Sequence, residues 1–335
     1  MKPILESVIN ISTAHIPFVN HCITTINEME DVAVLDVHRG DSVNRTVITI
    51  CGTPKALFSA LVWMFQETTT HVDMREQRGV HPRIGAVDVC PIIPIRGVSE
   101  QECHSFVLRL SEHVGNHLQV PIYLYERSAT SPKRQFLYNI RRGEYEGLSK
   151  KLLLPDWKPD YGPTTWTDSV AKTGASAIGV RPLMVAWNLS LHTHAHENAL
   201  RIAQEIRGTG SLRNGTRIHG LFASVRAIAW DIPELHCTQI SLNIYNVNQD
   251  KMIDIFDVVQ EKSNQGIRET ERIGLIPLCA LGLTDSAGVE EVNKIVKRLK
   301  ILHIDPKHHI LEYAIQEKCD RANFMEDYPC LDFSP

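Results

Sequence analysis

Val32-Ala33-Val34-Leu35-Asp36-Val37 and Arg45-Thr46-Val47-Ile48-Thr49-Ile50 are the two runs whose reading decides the fold. Both are short, rich in β-branched residues and bounded by turn formers, which predicts strands and suggests an adjacent antiparallel pair. Ala56, Leu57, Ala60, Leu61 and Met64 then recur at helical spacing within residues 54–68, and a Gly- and Pro-punctuated stretch occupies residues 79–97. The same order returns loosely, with a helix over 99–114, a strand over 121–125 and a polar loop to Glu146. Leu154-Pro155-Asp156-Trp157-Lys158-Pro159-Asp160-Tyr161-Gly162-Pro163 carries too many prolines for a helix or a central strand, so it is expected to cross an exposed surface or a cleft.

A second half opens at Leu183-Met184-Val185-Ala186-Trp187-Asn188-Leu189, a strand pattern. A helix over 197–207, strands over 225–230 and 239–244, and a helix over 252–264 follow. Hairpin-like neighbours mixed with helices predict an α+β protein of two similar halves, each a mainly antiparallel sheet with helices on its outer face. No G-x-G-x-x-G follows a strand and no Walker A sequence occurs, so nothing points to a nucleotide cradle.

Composition narrows the partners. Of 335 residues, 35 are Lys or Arg and 39 are Asp or Glu, with no long basic block, so the electrostatic footprint of a nucleic-acid binder is missing. No apolar run approaches the roughly 18 residues of a membrane helix, and Met1-Lys2-Pro3-Ile4-Leu5-Glu6 shows no signal region. The expectation is a cytoplasmic protein acting on small molecules. Cys22, Cys51, Cys90, Cys103, Cys237 and Cys279 form no C-x-x-C pair and read as reduced thiols.

The richest stretch chemically is Asp73-Met74-Arg75-Glu76-Gln77-Arg78-Gly79-Val80-His81-Pro82-Arg83-Ile84-Gly85-Ala86, a histidine and arginines set between glycines. A loop histidine can move a proton near neutral pH, and guanidinium groups can grip carboxylates bidentately. Val80-His81-Pro82-Arg83-Ile84-Gly85-Ala86-Val87-Asp88-Val89-Cys90-Pro91 resembles the signature segment of the glutamate formimidoyltransferase family. The resemblance runs on in register at Asn44-Arg45-Thr46, Val120 to Tyr125, Arg142 to Leu148, Asp160 to Pro163, Thr173-Gly174-Ala175, Gly179-Val180-Arg181, Gly274 to Leu278 and Ile301 to Tyr313.

The resemblance implies two subdomains, 1–181 and 182–328, with a ligand groove between them, and a homodimer. It implies transfer of a formimino group from N-formimino-L-glutamate to the N5 nitrogen of tetrahydrofolate, a step of histidine degradation and one-carbon metabolism. Tetrahydrofolate would be a co-substrate, and no metal is needed. His81 takes the place of the catalytic base. Gly162, Pro163, Thr164, Trp166 and Gly174 fall on the family's folate-binding stretch, where Trp166 either stacks on the pterin or packs on its own domain. Asn10 stands in the N-terminal motif, and Arg45 and Arg83 are candidates for the substrate carboxylates, with pairing to a neighbouring acid as the alternative.

Departures from the family cluster near the site. Asn10-Ile11-Ser12-Thr13-Ala14 stands where the family reads Asn-Phe-Ser-Glu-Gly, Gln77 replaces a histidine and Val80 a glutamate. His38 replaces an aspartate thought to act in catalysis, and beside His81 it would share a single proton with it. Two readings follow: a formimidoyltransferase, or a close variant using 5-formyltetrahydrofolate, and a folate-binding protein of the same fold with reduced or lost transfer.

Other signals are weaker. His192, His194 and His196 alternate after a strand without an obvious further metal ligand, and His303, His308 and His309 read as surface residues. Asn188, Gln239 and Asn243 either face a cleft or lie on a solvated strand face.

Overall fold

The computed structural model describes residues 3–41, 43–192, 196–232 and 237–321. They form two compact units, one of residues 3–181 with 318–321 and the other of residues 182–317.

The first unit begins with β1 (Ile4–Ile11), α1 (Ile16–Glu28), β2 (Val32–Gly40), β3 (Arg45–Gly52), α2 (Pro54–His71) and β4 (Val87–Arg96). The expected strand pair is present, with Val34 opposite Ile50 and His38 opposite Val47. Strand alternation sends Ile48, Ile50, Leu5, Ile9 and Ile11 to one face, where Leu57, Leu61, Met64 and Phe65 of α2 bury against them. α2 starts where Pro54 occupies its first turn and the Thr53 hydroxyl accepts the Ala56 N–H.

The chain continues through α3 (Glu100–His117), β5 (Ile122–Leu124), α4 (Leu137–Arg141), α5 (Leu148–Lys151), α6 (Asp168–Thr173) and β6 (Ser176–Val180). Ser99 caps α3 in a reciprocal capping box with Glu102. The sheet order is β2-β3-β1-β4-β6-β5, antiparallel from β2 to β4, with β6 parallel to both β4 and β5. The polar stretch before Glu146, expected to be loop, contains the short helix α4. Its Ile140, with Leu148 and Leu152 around α5 and Val170 of α6, forms a second core with Val89, Tyr123 and Ala177. By alternation these sheet residues point away from the α2 face, so both faces of this sheet are partly covered.

The proline-rich stretch docks beside β5. Ile122 and Tyr161 form a bridge, and the Asp160 carboxylate accepts the Leu124 N–H at 2.8 Å and pairs with Arg134 at 2.9 Å.

The second unit runs β7 (Val185–Leu191), α7 (His196–Ile206), the small hairpin β8 (Ser211–Arg213) and β9 (Thr216–Ile218), then β10 (Val225–Ile232), β11 (Cys237–Ile244), α8 (Met252–Lys262) and β12 (Ile267–Ile273). Helices α9 (Val289–Arg298), α10 (Pro306–His309) and α11 (Leu311–Arg321) follow. Trp187, Leu189, Ile240 and Leu242 meet Ile202, Ile206 and Ile255 in its core. Its sheet is antiparallel throughout, in the order β10-β11-β7-β12. The first unit's opening elements have the same β-α-β-β-α-β sequence and the same strand order, β2-β3-β1-β4. The two halves are therefore topological repeats of one split βαβ motif, and the first is extended by β5, β6 and the short helices.

Gly174 closes this extension. Its backbone (φ 66°, ψ −150°) occupies a region open essentially to glycine, and an added Cβ would lie 2.3 Å from the Ile84 carbonyl oxygen. Gly174→Ala should cost about 3 kcal/mol or more, read as a lowered urea midpoint with an unchanged slope.

Candidate functional site

The loop between α2 and β4 carries His81 and is tied down at both ends. At its C-terminal end, Gly85 bridges to Gly174, Ala86 N–H donates to Thr173 O at 2.8 Å, and Ser12 Oγ donates to Gly85 O at 2.7 Å. This joins the end of β1, the His81 loop and the segment around Gly174 in one place.

Within the same loop, Arg83 folds back inside. It is only 5% exposed, and its Nε donates to Gln77 Oε1 at 2.8 Å. Its two terminal nitrogens grip Glu146 at 2.8 and 2.7 Å, and one also reaches Glu144 at 3.2 Å. The Gln77 amide continues to Asn44 O, and Asn44 Nδ2 donates to Arg78 O at 2.8 Å. Arg83 thus spends its bidentate fork on protein carboxylates, and acts on the loop that presents His81. Gln77 accepts one of its bonds.

A second group forms where β1, β3 and β4 meet. A one-residue bulge on β4 lets Ile11 oppose Val87 while Asn10 opposes Val89, with Asp88 between them. Val87 belongs to the core on the α2 side and Val89 to the core on the other, so the bulge turns Asp88 out of the regular alternation. Fully buried, Asp88 Oδ2 receives Arg45 at 2.7 Å and Arg141 of α4 at 2.5 Å, while Oδ1 accepts the Ile84 N–H at 3.0 Å. Burial opposes its charge, but the guanidiniums of Arg141 and Arg45 and the Ile84 N–H hold the carboxyl below the ordinary range.

Arg45 is the hub. Its Nε donates to Asn10 Oδ1 at 3.2 Å and one terminal nitrogen to the same oxygen at 2.5 Å, while the other lies 3.1 Å from His81 Nδ1. Burial and the neighbouring Arg141 lower its pKa to about 10, against the pull of Asp88, so it stays charged at neutral pH. Two arginines share one carboxylate, leaving one excess positive charge beside His81.

His81 is half-buried. Burial, then Arg45 and Arg141, push its pKa down to about 4, so the ring is neutral at pH 7. Its Nδ1 lies 2.9 Å from Pro82 O as well as 3.1 Å from Arg45. With the proton on Nδ1, the ring donates to Pro82 O and leaves Nε2 bare. With Nδ1 bare, it accepts from Arg45 and Nε2 carries the proton. Only the first tautomer makes Nε2 a base.

Of the residues singled out in the sequence, Asn10, Arg45 and His81 come together directly, and Arg83 supports the loop from behind. His38 shares the sheet face of Asn10, since both oppose Val47, which places it two strand spacings away, about 10 Å. No hydrogen bond, ion pair or ring contact joins His38 to His81 among the described residues. Gly162 (φ 78°) sits against the Val120 carbonyl, which an added Cβ would meet at 2.4 Å. Pro163 and Thr164 lie on the stretch leading to α6, half-buried and exposed respectively. Trp166 is 40% exposed with its ring 5.9 Å from Tyr145.

Asp88 and Arg141 were not singled out from the sequence. An aspartate inside the apolar run Val87-Asp88-Val89-Cys90 is a signal of a buried, paired acid. Arg141 carries none, because Arg141-Arg142 in a polar stretch reads as solvated.

In the second unit, Gln239 links Trp230 Nε1 at 3.0 Å to Ser190 Oγ at 3.4 Å, and Asn188 reaches Glu271 at 3.4 Å. His194 lies outside the described residues, and His196 faces Asp231 at 3.3 Å. His308 lies 2.9 Å from Glu317. No group of three or more His, Cys, Asp or Glu among the described residues could hold a metal ion, and no described helix is long and apolar enough to cross a membrane.

The profile of the formiminotransferase domain, N-terminal subdomain, matches residues 4–181, and that of the formiminotransferase domain matches residues 186–316. The chain is 33% identical to the formimidoyltransferase-cyclodeaminase of Mus musculus over 97% of its own length, and spans 62% of that protein. It is 33% identical to the glutamate formimidoyltransferase of Streptococcus pyogenes serotype M1, over 84% of this chain and 91% of that one. The glutamate formimidoyltransferase of Thermoplasma acidophilum is also 33% identical, over 78% of this chain and 84% of its own.

Proposed function

Because the chain belongs to the formiminotransferase family, we propose that it moves a formimino group from N-formimino-L-glutamate to N5 of tetrahydrofolate, yielding 5-formiminotetrahydrofolate and glutamate. The observation that carries this reading is a neutral, half-buried His81 held between Arg45 and the Pro82 carbonyl, beside a surplus of positive charge.

The N5 lone pair attacks the amidine-like formimino carbon, and the N5 proton passes to His81 Nε2. Nδ1–H keeps its bond to Pro82 O throughout. The tetrahedral intermediate then collapses: the carbon–nitrogen bond to glutamate breaks, and the imidazolium returns the proton to the departing nitrogen. One histidine thus serves as base and then as acid. The nearby guanidiniums of Arg45 and Arg141 disfavour the imidazolium, and a substrate carboxylate drawn to them offsets that effect. Asn10 orients Arg45, and Arg83 with Glu146 and Gln77 fixes the loop.

Tetrahydrofolate is the co-substrate in this reading. The stretch Gly162, Pro163, Thr164 to Gly174 meets the His81 loop at Gly85, with Trp166 available to a flat ring. In this reading His38, on the same sheet face as Asn10, meets the substrate and does not share the proton of His81. Two subdomains over 1–181 and 182–328, a homodimer and a cytoplasmic location complete the proposal. The test is tetrahydrofolate-dependent consumption of formiminoglutamate by the purified chain, run beside calorimetric titration with folinic acid. Turnover with binding is expected. Binding without turnover overturns the transferase reading.

A further inference from the structure

Around α4 and α5 lies a separate open hollow of about 350 Å³, lined by Asn139, Arg142, Gly147, Lys150, Lys151, Leu154 and Trp157. Three cations and no acid face it. The carboxylates close by in the chain already hold other cations: Glu144 and Glu146 hold Arg83, Asp156 holds Lys133, and Asp160 holds Arg134. No carboxylate among the residues lining the hollow offsets its three cations.

Lys151 makes this more than a solvated basic patch. It is 8% exposed, its Nζ donates to Ile140 O at 2.5 Å, and the ammonium lies 4.6 Å from the centre of the Trp157 ring. A buried ammonium with one carbonyl acceptor has two N–H donors left to satisfy. Burial, then the neighbouring Arg142, lower its pKa to about 8. Arg142 supplies a planar fork suited to oxyanions and Lys150 a mobile point charge, with Leu154 and Trp157 as apolar wall.

We infer that this hollow binds a compact multivalent oxyanion, with Arg142 and Lys150 gripping it from the rim and Lys151 donating from the floor. It is distinct from the His81 site. Arg141 ends α4 pointing to Asp88, and the next residue, Arg142, lines the hollow. Phosphate groups and clustered carboxylates share the chemistry the hollow selects.

The test is calorimetric titration of the full chain with inorganic phosphate and, separately, with citrate, at fixed ionic strength. Saturable binding of at least one, with Kd of about 1 mM or tighter, is expected in the wild type and in His81→Ala. The preferred anion tells a phosphate site from a polycarboxylate site. Arg142→Ala/Lys150→Ala should weaken it about tenfold or more. A second readout needs no variant: trinitrophenylation of Lys151 at pH 8, followed by mass spectrometry, should slow several-fold when the anion is bound. Absence of saturable binding by both anions, equal affinity in the double variant, or Lys151 labelling indifferent to the anion would each overturn the inference.

Discussion

Replacing His81 by alanine should lower tetrahydrofolate-dependent turnover by about 10²- to 10⁴-fold, the usual contribution of a positioned acid–base group. The fold should survive, because His81 is half-buried and belongs to neither main core. Folinic acid binding should survive as well, which separates loss of proton transfer from loss of the site. The wild-type pH profile carries the same signature. The ring works as a base only when neutral, and its pKa is lowered to about 4. Free-enzyme kcat/KM should therefore hold from pH 7 down to about 5 and fall as the ring protonates near pH 4. An ordinary solvated histidine would lose activity near pH 6.5. Full activity in His81→Ala would remove the ring from the mechanism.

Asp88→Asn is expected to have the largest effect on stability, about 3–5 kcal/mol, the cost of breaking a buried ion pair from one side. The carboxylate is fully buried and neutralises Arg45 and Arg141. An amide keeps the shape but loses the charge, so two guanidiniums are left facing each other. Such a loss is a large fraction of a typical total of about 5–15 kcal/mol, and a denaturant midpoint will show it. Adding Arg141→Met should restore part of the loss, because one stranded charge is removed. An unchanged midpoint in Asp88→Asn would mean that the pair contributes nothing net. The pH dependence follows from the direction of the shift. The folded carboxyl sits below its ordinary value near 4, so its stabilisation is present above pH 4 and is lost as pH falls through the lower folded value.

The fold was largely legible because its signals are local. The β-branched runs at 32–37 and 45–50 and the apolar spacing of Leu57, Leu61 and Met64 each name their element within a few residues. The short helix α4 was not legible, since five residues from Leu137 to Arg141 carry no full period. The second core on the far face of the first sheet was hidden for the same reason. Its members come from six segments between Ile84 and Ala177.

The site divides in the same way. The sequence by itself determined that the chain folds as two α+β halves and pointed to the stretch around His81 as the candidate site, because a histidine between glycines in a distinctive stretch is a property of neighbours along the chain. Only the tertiary structure decided what His81 can do. Arg45, Asp88 and Arg141 lie 36, 43 and 53 positions apart in their pairings with one another and with His81. Their meeting depends on a bulge in β4 and on the end of α4. The structure also pairs Arg83 with Glu144 and Glu146 and sets His38 two strands away from Asn10. The physical reason is one of range: hydrophobic periodicity is written in the spacing of residues, whereas a titration is set by whichever charges folding brings within a few ångströms.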